Sequence, residues 1–281
     1  MIKPMLAHKY DPDRVIWDDY VYMQPKLDGV RCLFTKDGGF SRTGKQFMNV
    51  KHIEEDLKPL FKALPWIVLD GELYNHNLRD NFEKIISLVR KQKPTYEDRS
   101  EARIWTQYHV YDYTGFDYES GEGVKYRERM HHLNVSDLYT PSVRHVESKM
   151  VATPAMSKVI HQEFLDQGYE GSIMRLNSTY QQKRSYSLMK FKDFSDKEAT
   201  IIGYDVGQGK RTGTLGKFVM QDDDGVEFGC PPGKGYTYKD LAEILSNIDK
   251  YLGKRATFTY FERTKAGSYR HPLFKTLRNY E

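Results

Sequence analysis

Hydrophobic residues recur along this chain at two periods, which predict alternating helices and strands. In residues 51–64, Ile53, Leu57 and Phe61 fall on one face of a 3.6-residue repeat, so the segment is predicted to be an amphipathic helix. Similar patterns predict helices over residues 81–90, 126–135 and 153–167, the last opened by Thr153 as N-cap and a proline. Short apolar runs predict strands over residues 21–25, 30–35, 66–69, 104–113 and 143–147.

The pattern changes near residue 194. Beyond it, glycine-rich turns separate short predicted strands over residues 199–206, 217–221, 226–229 and 256–261, and one helix is predicted over 239–252. Several short strands with a single helix are typical of a small β-barrel. We therefore predict two domains, residues 1–194 and 195–281.

Composition excludes several classes of protein. The 281 residues are 39% hydrophobic and 14% aromatic, which is enough apolar material for a packed core and argues against wholesale disorder. No apolar run approaches the roughly 18 residues of a membrane span, and the N-terminus lacks the apolar core of a secretory signal. Cys32 and Cys230 make neither a disulfide framework nor a zinc site, so a reducing, cytoplasmic location is expected.

Positive charge is concentrated at the C-terminal end. The net charge of the whole chain is only +4, yet residues 250–281 hold eight lysines and arginines against two glutamates. A basic, aromatic-rich segment suits a polyanionic partner. A solvated basic surface explains the charge equally well, and charge alone does not decide between the two.

The segment Lys26-Leu27-Asp28-Gly29-Val30-Arg31 combines a lysine, a carboxylate, a glycine and an arginine between two predicted strands. A charged β-turn is the simple explanation. The alternative is covalent chemistry, because a neutral lysine amine can attack an electrophilic phosphorus. Nearby cations favour the neutral amine, and Gly29 permits close approach of the backbone to a ligand.

Further polar motifs follow in order along the chain. They are Ser41-Arg42-Thr43-Gly44, Leu69-Asp70-Gly71-Glu72-Leu73, Tyr111-Asp112-Tyr113, Glu170 to Arg175 (E-G-S-I-M-R) and Ser187 to Lys192 (S-L-M-K-F-K). With the K-x-D-G-x-R segment, this series resembles the signature of the covalent nucleotidyltransferases, which comprise ATP-dependent DNA ligases, RNA ligases and mRNA capping guanylyltransferases. Residues 198–218 and 270–278 resemble the barrel domain and the C-terminal motif of the ligases.

The resemblance implies an α+β fold. An ATP-grasp-like nucleotidyltransferase (adenylation) domain of mixed antiparallel sheets and helices would precede a small OB-fold barrel, with a hinge near residues 193–196. It also implies an activity: an ATP-dependent DNA ligase that seals 5′-phosphate/3′-hydroxyl nicks through lysyl-AMP and DNA-adenylate intermediates. ATP would be the co-substrate and Mg²⁺ (or Mn²⁺) the metal.

The resemblance also implies roles for residues around the nucleotide. Lys26 would be the nucleophile, and Asp28, Glu72 and Glu170 would bind or orient the metal, Glu72 alternatively binding the ribose. Tyr111 would stack on adenine, although a core tyrosine on a strand remains an alternative. Gln24 would face the adenine edge.

The remaining assignments concern phosphates. Lys190 and Lys192, two apart on a strand, would share one face and stabilise charge on the α-phosphate, unless they are simply exposed. Arg31 would contact the nucleotide phosphates. Arg42 and Arg175 would bind the DNA 5′-phosphate. Arg270 and Arg278 would hold the pyrophosphate of ATP, a basic surface being the alternative.

The expected partner is nicked duplex DNA, bound by a monomer without a membrane. RNA ligase and capping guanylyltransferase are alternatives within the same superfamily. A non-catalytic nucleic-acid-binding module is an alternative of another class, and it predicts the loss of Lys26, Glu72 or Glu170, all of which are present.

Overall fold

The computed structural model describes residues 2–17, 19–79, 81–115, 123–135, 140–191, 195–233, 235–264 and 267–278. The chain divides into two compact units, Met1–Lys192 and Asp193–Glu281. Lys192 and the first part of the predicted hinge at 193–196 lie outside the described residues. Within the described ranges, no helix is both long and apolar enough to cross a membrane.

The first unit contains two five-stranded sheets and helices that cover them. Its described strands are β1 (Leu6–Lys9), β2 (Val21–Pro25), β3 (Val30–Thr35), β4 (Gly38–Phe40), β5 (Val68–Tyr74), β6 (Gln107–Thr114), β7 (Val143–His145), β8 (Lys149–Val151), β9 (Ser172–Leu176) and β10 (Arg184–Phe191). Its described helices are α1 (Lys51–Ala63), α2 (Phe82–Val89), α3 (Tyr96–Trp105), α4 (Tyr126–Val135) and α5 (Pro154–Asp166). The strand orders are β1-β10-β9-β2-β8 and β4-β3-β5-β6-β7.

Both sheets are mostly antiparallel, and strand alternation gives each one an apolar face and a polar face. In the first sheet, Met23, Met174 and Met189 pack with residues of α5 in one core cluster. In the second, the inward residues of β3 and β5 pack with those of α1 and α2 in a larger cluster. The residues between these inward positions, such as Gln24 on β2 and Glu72 on β5, point away from those cores. The polar faces of the two sheets supply the candidate site.

Local sequence explains where the helices begin. Thr153 caps α5 by accepting a hydrogen bond from the backbone N–H of Met156, with proline at the first helical position, as predicted. Helix α3 was not predicted. The strand expected over 104–113 begins only at Gln107, because a reciprocal capping box between Thr95 and Asp98 starts a helix that runs to Trp105.

The described part of the second unit contains a five-stranded sheet, a two-stranded sheet, one α-helix and two short 3-10 helices, Gly209–Arg211 and Ile248–Lys250. Its elements are β11 (Ser195–Val206), β12 (Leu215–Gln221), β13 (Glu227–Cys230), α6 (Tyr238–Ser246), β14 (Arg255–Tyr260), β15 (Glu262–Arg263), β16 (Tyr269–Arg270) and β17 (Leu273–Leu277). The order of the larger sheet is β13-β12-β11-β14-β17, and β15 pairs with β16 in the smaller one. The larger sheet is not a continuously closed barrel, although an isolated bridge joins Pro232, two residues after edge strand β13, to Phe274 of the other edge strand, β17.

Candidate active site

Lys26 lies at the end of β2, where the backbone joins it to the loop before β9. Its N–H donates to the carbonyl of Gly171 (2.8 Å), and its own carbonyl accepts from the N–H of Glu170 (3.2 Å). The Lys26 ammonium forms an ion pair with the Glu170 carboxylate. Two residues that are 144 positions apart in sequence are therefore fixed side by side.

The neighbouring wall of the site comes from β3, β5 and β6. Arg31 makes a bidentate ion pair with the buried Asp70, at 2.9 and 2.6 Å. The same carboxylate accepts a hydrogen bond from the hydroxyl of Tyr180 (2.6 Å). The hydroxyl of Tyr111 donates to Oε2 of Glu72 (3.3 Å). The predicted residues Arg31, Glu72 and Tyr111 are thus brought together.

Glu72 is electrostatically unusual. Its burial raises the pKa of this carboxyl from 4.5 to about 7, because the positive charges of Arg31 and Lys26 only partly offset the loss of solvation. Strongly perturbed groups in a cleft are frequent at functional sites. With a pKa of about 7, Glu72 changes its protonation near neutral pH.

A buried ionic network lies behind Tyr111. Asp112 is fully buried and accepts from Arg129 (2.7 and 3.1 Å) and from Arg175 (2.7 Å). Burial alone would raise the pKa of Asp112, but the two guanidinium groups outweigh it and hold the pKa below its ordinary value. Arg175 also donates to Oε1 of Gln24 (2.6 Å).

The network changes two of the sequence predictions. Arg175 is only 3% exposed, so it is not presented to a DNA 5′-phosphate in this structure. Gln24 is 2% exposed, and its amide nitrogen donates to the carbonyl of Tyr111 (3.2 Å) and to Ser148 (2.9 Å). With its oxygen bound to Arg175, Gln24 has its amide group engaged by protein and is not free to read a base edge.

Lys190 lies on the polar face of the first sheet. It is paired in register with Ile173, which is paired in turn with Gln24. Directly opposed residues on neighbouring strands share a face, so Lys190 and Gln24 lie on the same side of the sheet. Lys192 cannot be placed, because it lies outside the described residues.

The predicted metal-binding carboxylates do not form a ready-made cage. Glu170 is paired with Lys26, and Glu72 accepts from Tyr111. Asp28 lies in the loop after β2 and is partly exposed. In the part of the chain that the structure describes, no group of three or more His, Cys, Asp or Glu side chains could hold a metal. Mg²⁺ usually binds through one or two carboxylates together with substrate phosphates, and one or two of these three side chains would fit that mode.

Arg42 lies on an exposed turn after β4. The turn is closed by hydrogen bonds between the backbones of Ser41, Gly44 and Lys45, at 2.8 Å each. Gly44 adopts φ +86°, which favours glycine. Among the described residues, no hydrogen bond or ion pair is made by the Arg42 guanidinium, so the turn holds a cation outward in solvent.

The two C-terminal arginines lie in the second unit. Arg270 is partly buried on β16. Arg278 is about half exposed and forms an ion pair with Glu198 of β11. The predicted role of these residues at the pyrophosphate stays a prediction.

Sequence reasoning missed several residues of this site. Asp70 and Asp112 were visible only as parts of motifs, and Tyr180 lies seven residues before the Ser187 to Lys192 motif. Arg129 belongs to none of the motifs. Arg129 lies three residues after Tyr126 on the predicted helix 126–135, so the two side chains share a face of the helix. This spacing was only a weak indication that Arg129 faces the interior.

Comparison with protein families gives two matches. Residues 4–192 match the ATP dependent DNA ligase domain, and residues 206–278 match a DNA ligase OB-like domain. These matches confirm the predicted fold class, a nucleotidyltransferase domain followed by an OB-like domain.

Similar proteins are DNA ligases from viruses and bacteria. A DNA ligase of African swine fever virus is 26% identical over 93% of this chain, and the chain spans only 65% of the length of that relative. A DNA ligase of Haemophilus influenzae is 26% identical over 93% of this chain and 92% of its own length. A solved structure of a Lig E DNA ligase superposes with a TM-score of 0.80 at 23% identity, covering 99% of this chain and all of the other, which supports the fold.

Proposed function

Because the chain belongs to the ATP-dependent DNA ligase family, we propose that it seals nicks in duplex DNA at the expense of ATP. The observation that carries this proposal is the position of Lys26. It lies beside Glu170, and its charge acts on the carboxyl of Glu72. These are three motif residues from distant parts of the sequence in one site.

The first step is the transfer of AMP to the protein. The nitrogen of Lys26 attacks the α-phosphorus of ATP, a nitrogen–phosphorus bond forms, and the bond to pyrophosphate breaks. The amine must be neutral to attack, since an ammonium has no lone pair. The Lys26 ammonium must therefore lose a proton to water before the attack, which also ends its ion pair with Glu170.

The remaining steps transfer AMP to DNA and join the strand. An oxygen of the DNA 5′-phosphate attacks the AMP phosphorus, which releases Lys26 and forms a diphosphate linkage. The 3′-hydroxyl then attacks the 5′-phosphorus and loses its proton, and AMP leaves. Both steps depend on positioning and on neutralising phosphate charge.

Side chains of the first unit would position the substrates. We assign the adenosine to the wall formed by Tyr111 and Glu72, with the phosphates toward Arg31 and Lys190. Arg42, exposed on its turn, is the better placed of the two predicted contacts for a DNA 5′-phosphate, and its guanidinium fork suits that group.

The metal would be held by one or two of the carboxylates of Asp28, Glu72 and Glu170, together with the phosphates of ATP. Bound Mg²⁺ would neutralise charge that develops on the phosphates. Arg270 and Arg278 would contribute positive charge from the second unit during the first step.

Covalent labelling tests the proposal. The protein is mixed with α-labelled ATP or GTP and Mg²⁺ and then run on a denaturing gel. Label from ATP is expected in the unaltered protein and in Lys36→Ala, a matched control on the β3–β4 turn, but not in Lys26→Ala. A correctly folded protein that takes no label from either nucleotide would refute the nucleophile assignment.

A chase separates the members of the superfamily. The labelled protein is given nicked duplex DNA or nicked duplex RNA. Transfer and sealing on DNA are expected. Preference for RNA would indicate an RNA ligase, and label from GTP alone would indicate a capping enzyme.

A further inference from the structure

The network behind Tyr111 is charged and dry. Arg129 and Arg175 are each 3% exposed and share the single carboxylate of Asp112, which is 0% exposed. The three side chains together carry one net positive charge. The other guanidinium hydrogen bonds of Arg129 go to the carbonyls of Val124 and Ser178.

Such a network is costly to build. Removing charged groups from water is opposed by desolvation, and buried ion pairs are often no more stabilising than apolar residues of the same shape. Packing alone therefore does not explain why α4 inserts an arginine here. What the network touches offers a better explanation.

Three connections of the network lead to Tyr111. Asp112 is its neighbour on β6, and the guanidinium of Arg175 lies 5.3 Å from the centre of the Tyr111 ring. Arg175 also fixes Gln24, whose amide binds the carbonyl of Tyr111. Tyr111 in turn donates to Glu72.

Helix α4 contacts the buried network through two of its side chains. Tyr126 and Arg129 lie three residues apart and share a face of the helix. The hydroxyl of Tyr126 is 2.8 Å from Oγ of Ser148, the group that accepts from Gln24. The helix therefore meets the network at two points.

We propose that Arg129 is a positioning residue for the nucleotide, acting through Asp112 and Arg175 to fix Tyr111 and Glu72 where adenosine binds. This inference rests on the proposed function, because it concerns the same ATP site. It gives α4, which carries no motif residue, a role in nucleotide affinity.

The substitution Arg129→Gln is the appropriate test. It leaves the pair Asp112–Arg175, which is neutral overall, so the interior retains no unpaired charge and the fold is expected to persist. Arg127→Gln is the matched control: Arg127 lies on the same helix, is exposed, and stacks over the ring of Tyr20.

The measurement is the rate of labelling of Lys26 as a function of ATP concentration. Arg129→Gln and Tyr111→Ala are each expected to raise KM for ATP about tenfold with a smaller change in kcat, and Arg127→Gln to leave both unchanged. If Arg129 acts through Tyr111, the double variant Arg129→Gln/Tyr111→Ala should have a KM for ATP no more than about twofold above the higher of the two single-variant values.

Two other results would overturn the inference. One is an unchanged KM in Arg129→Gln. The other is a double variant whose KM rises by the product of the single effects, about a hundredfold, since independent sites behave additively in free energy. If Arg129→Gln does not fold, Arg129→Lys keeps the charge but loses the planar fork, and the same cycle is run with it. If the unaltered protein takes no label, the proposed function fails and this inference fails with it.

Discussion

Glu72 should reduce the stability of the first unit at neutral pH. Its pKa is raised by burial from 4.5 to about 7, so the folded protein binds this proton more tightly than the unfolded chain does. At about 1.4 kcal/mol per pKa unit, the ionised carboxylate costs the folded state about 3 kcal/mol. Removing the charge should therefore stabilise the protein.

The sign follows from proton linkage. Below pH about 4.5, Glu72 is neutral in both states, so Glu72→Gln should change stability little. Between pH about 4.5 and 7 the folded state holds the extra proton, and the stability of the unaltered protein falls as the pH rises. Above pH about 7 the full difference of about 3 kcal/mol should separate the two proteins. It corresponds to a rise in Tm of about 6–12 °C for a unit of this size.

The assay is urea unfolding followed by tryptophan fluorescence at pH 5 and pH 8. Trp17, Trp66 and Trp105 are the three tryptophans of the chain and all belong to the first unit, so the signal reports on that unit. Exposed Glu83→Gln serves as the control. Glutamine keeps an oxygen that can accept from Tyr111. The substitution therefore removes the charge without removing that hydrogen bond. A stability difference that stays constant with pH, or a less stable Glu72→Gln at pH 8, would refute the reasoning.

Three further substitutions test other parts of the structure. Asp222→Asn should destabilise the second unit by about 2 kcal/mol, because the buried carboxylate accepts from the hydroxyl of Tyr269 (2.6 Å) and from the backbone N–H of Val226 (2.9 Å). These hydrogen bonds outweigh the effect of burial and lower the pKa of Asp222 to about 2. The stability is therefore present above pH about 4 and is lost as the pH falls through 2, as circular dichroism would measure. Gly71→Ala should cost about 1–3 kcal/mol in urea unfolding, since a Cβ there would lie 2.5 Å from the carbonyl oxygen of His109. Arg42→Ala should leave labelling by ATP unchanged but weaken binding to nicked DNA, with the slope of log affinity against log salt reduced by about 0.9.

The sequence predicted the helices whose apolar positions are regular. Helix α1 buries Ile53, Leu57 and Phe61 as the 3.6-residue spacing requires. Helix α3 escaped prediction because only Ala102 of its residues is buried, so it lacks an apolar stripe. Its signal was the capping box at Thr95 and Asp98, which periodicity does not detect.

The motifs predicted the contents of the site better than its geometry. Their order along the chain indicated Lys26, Glu72 and Glu170, and the structure brings these residues into one site. A motif carries no information about which partner satisfies a charge. The register of β3 and β5 places Arg31 opposite Glu72, and Asp70 lies two residues further along the same face of β5. The ion pair of Arg31 with Asp70, 39 positions away in sequence, is therefore a diagonal pair that only the fold reveals.

Burial distinguishes two arginines to which the resemblance assigns the same role. Arg42 and Arg175 were both expected to bind the DNA 5′-phosphate, yet Arg42 is exposed on a turn, and Arg175 is 3% exposed. The difference arises because Asp112, fully buried on β6, needs cations to compensate its charge, and β9 places Arg175 within reach. An arginine that satisfies an interior carboxylate cannot also bind a phosphate in solvent. Substitutions at the two positions should therefore act at different stages, at DNA binding for Arg42 and at nucleotide binding for Arg175.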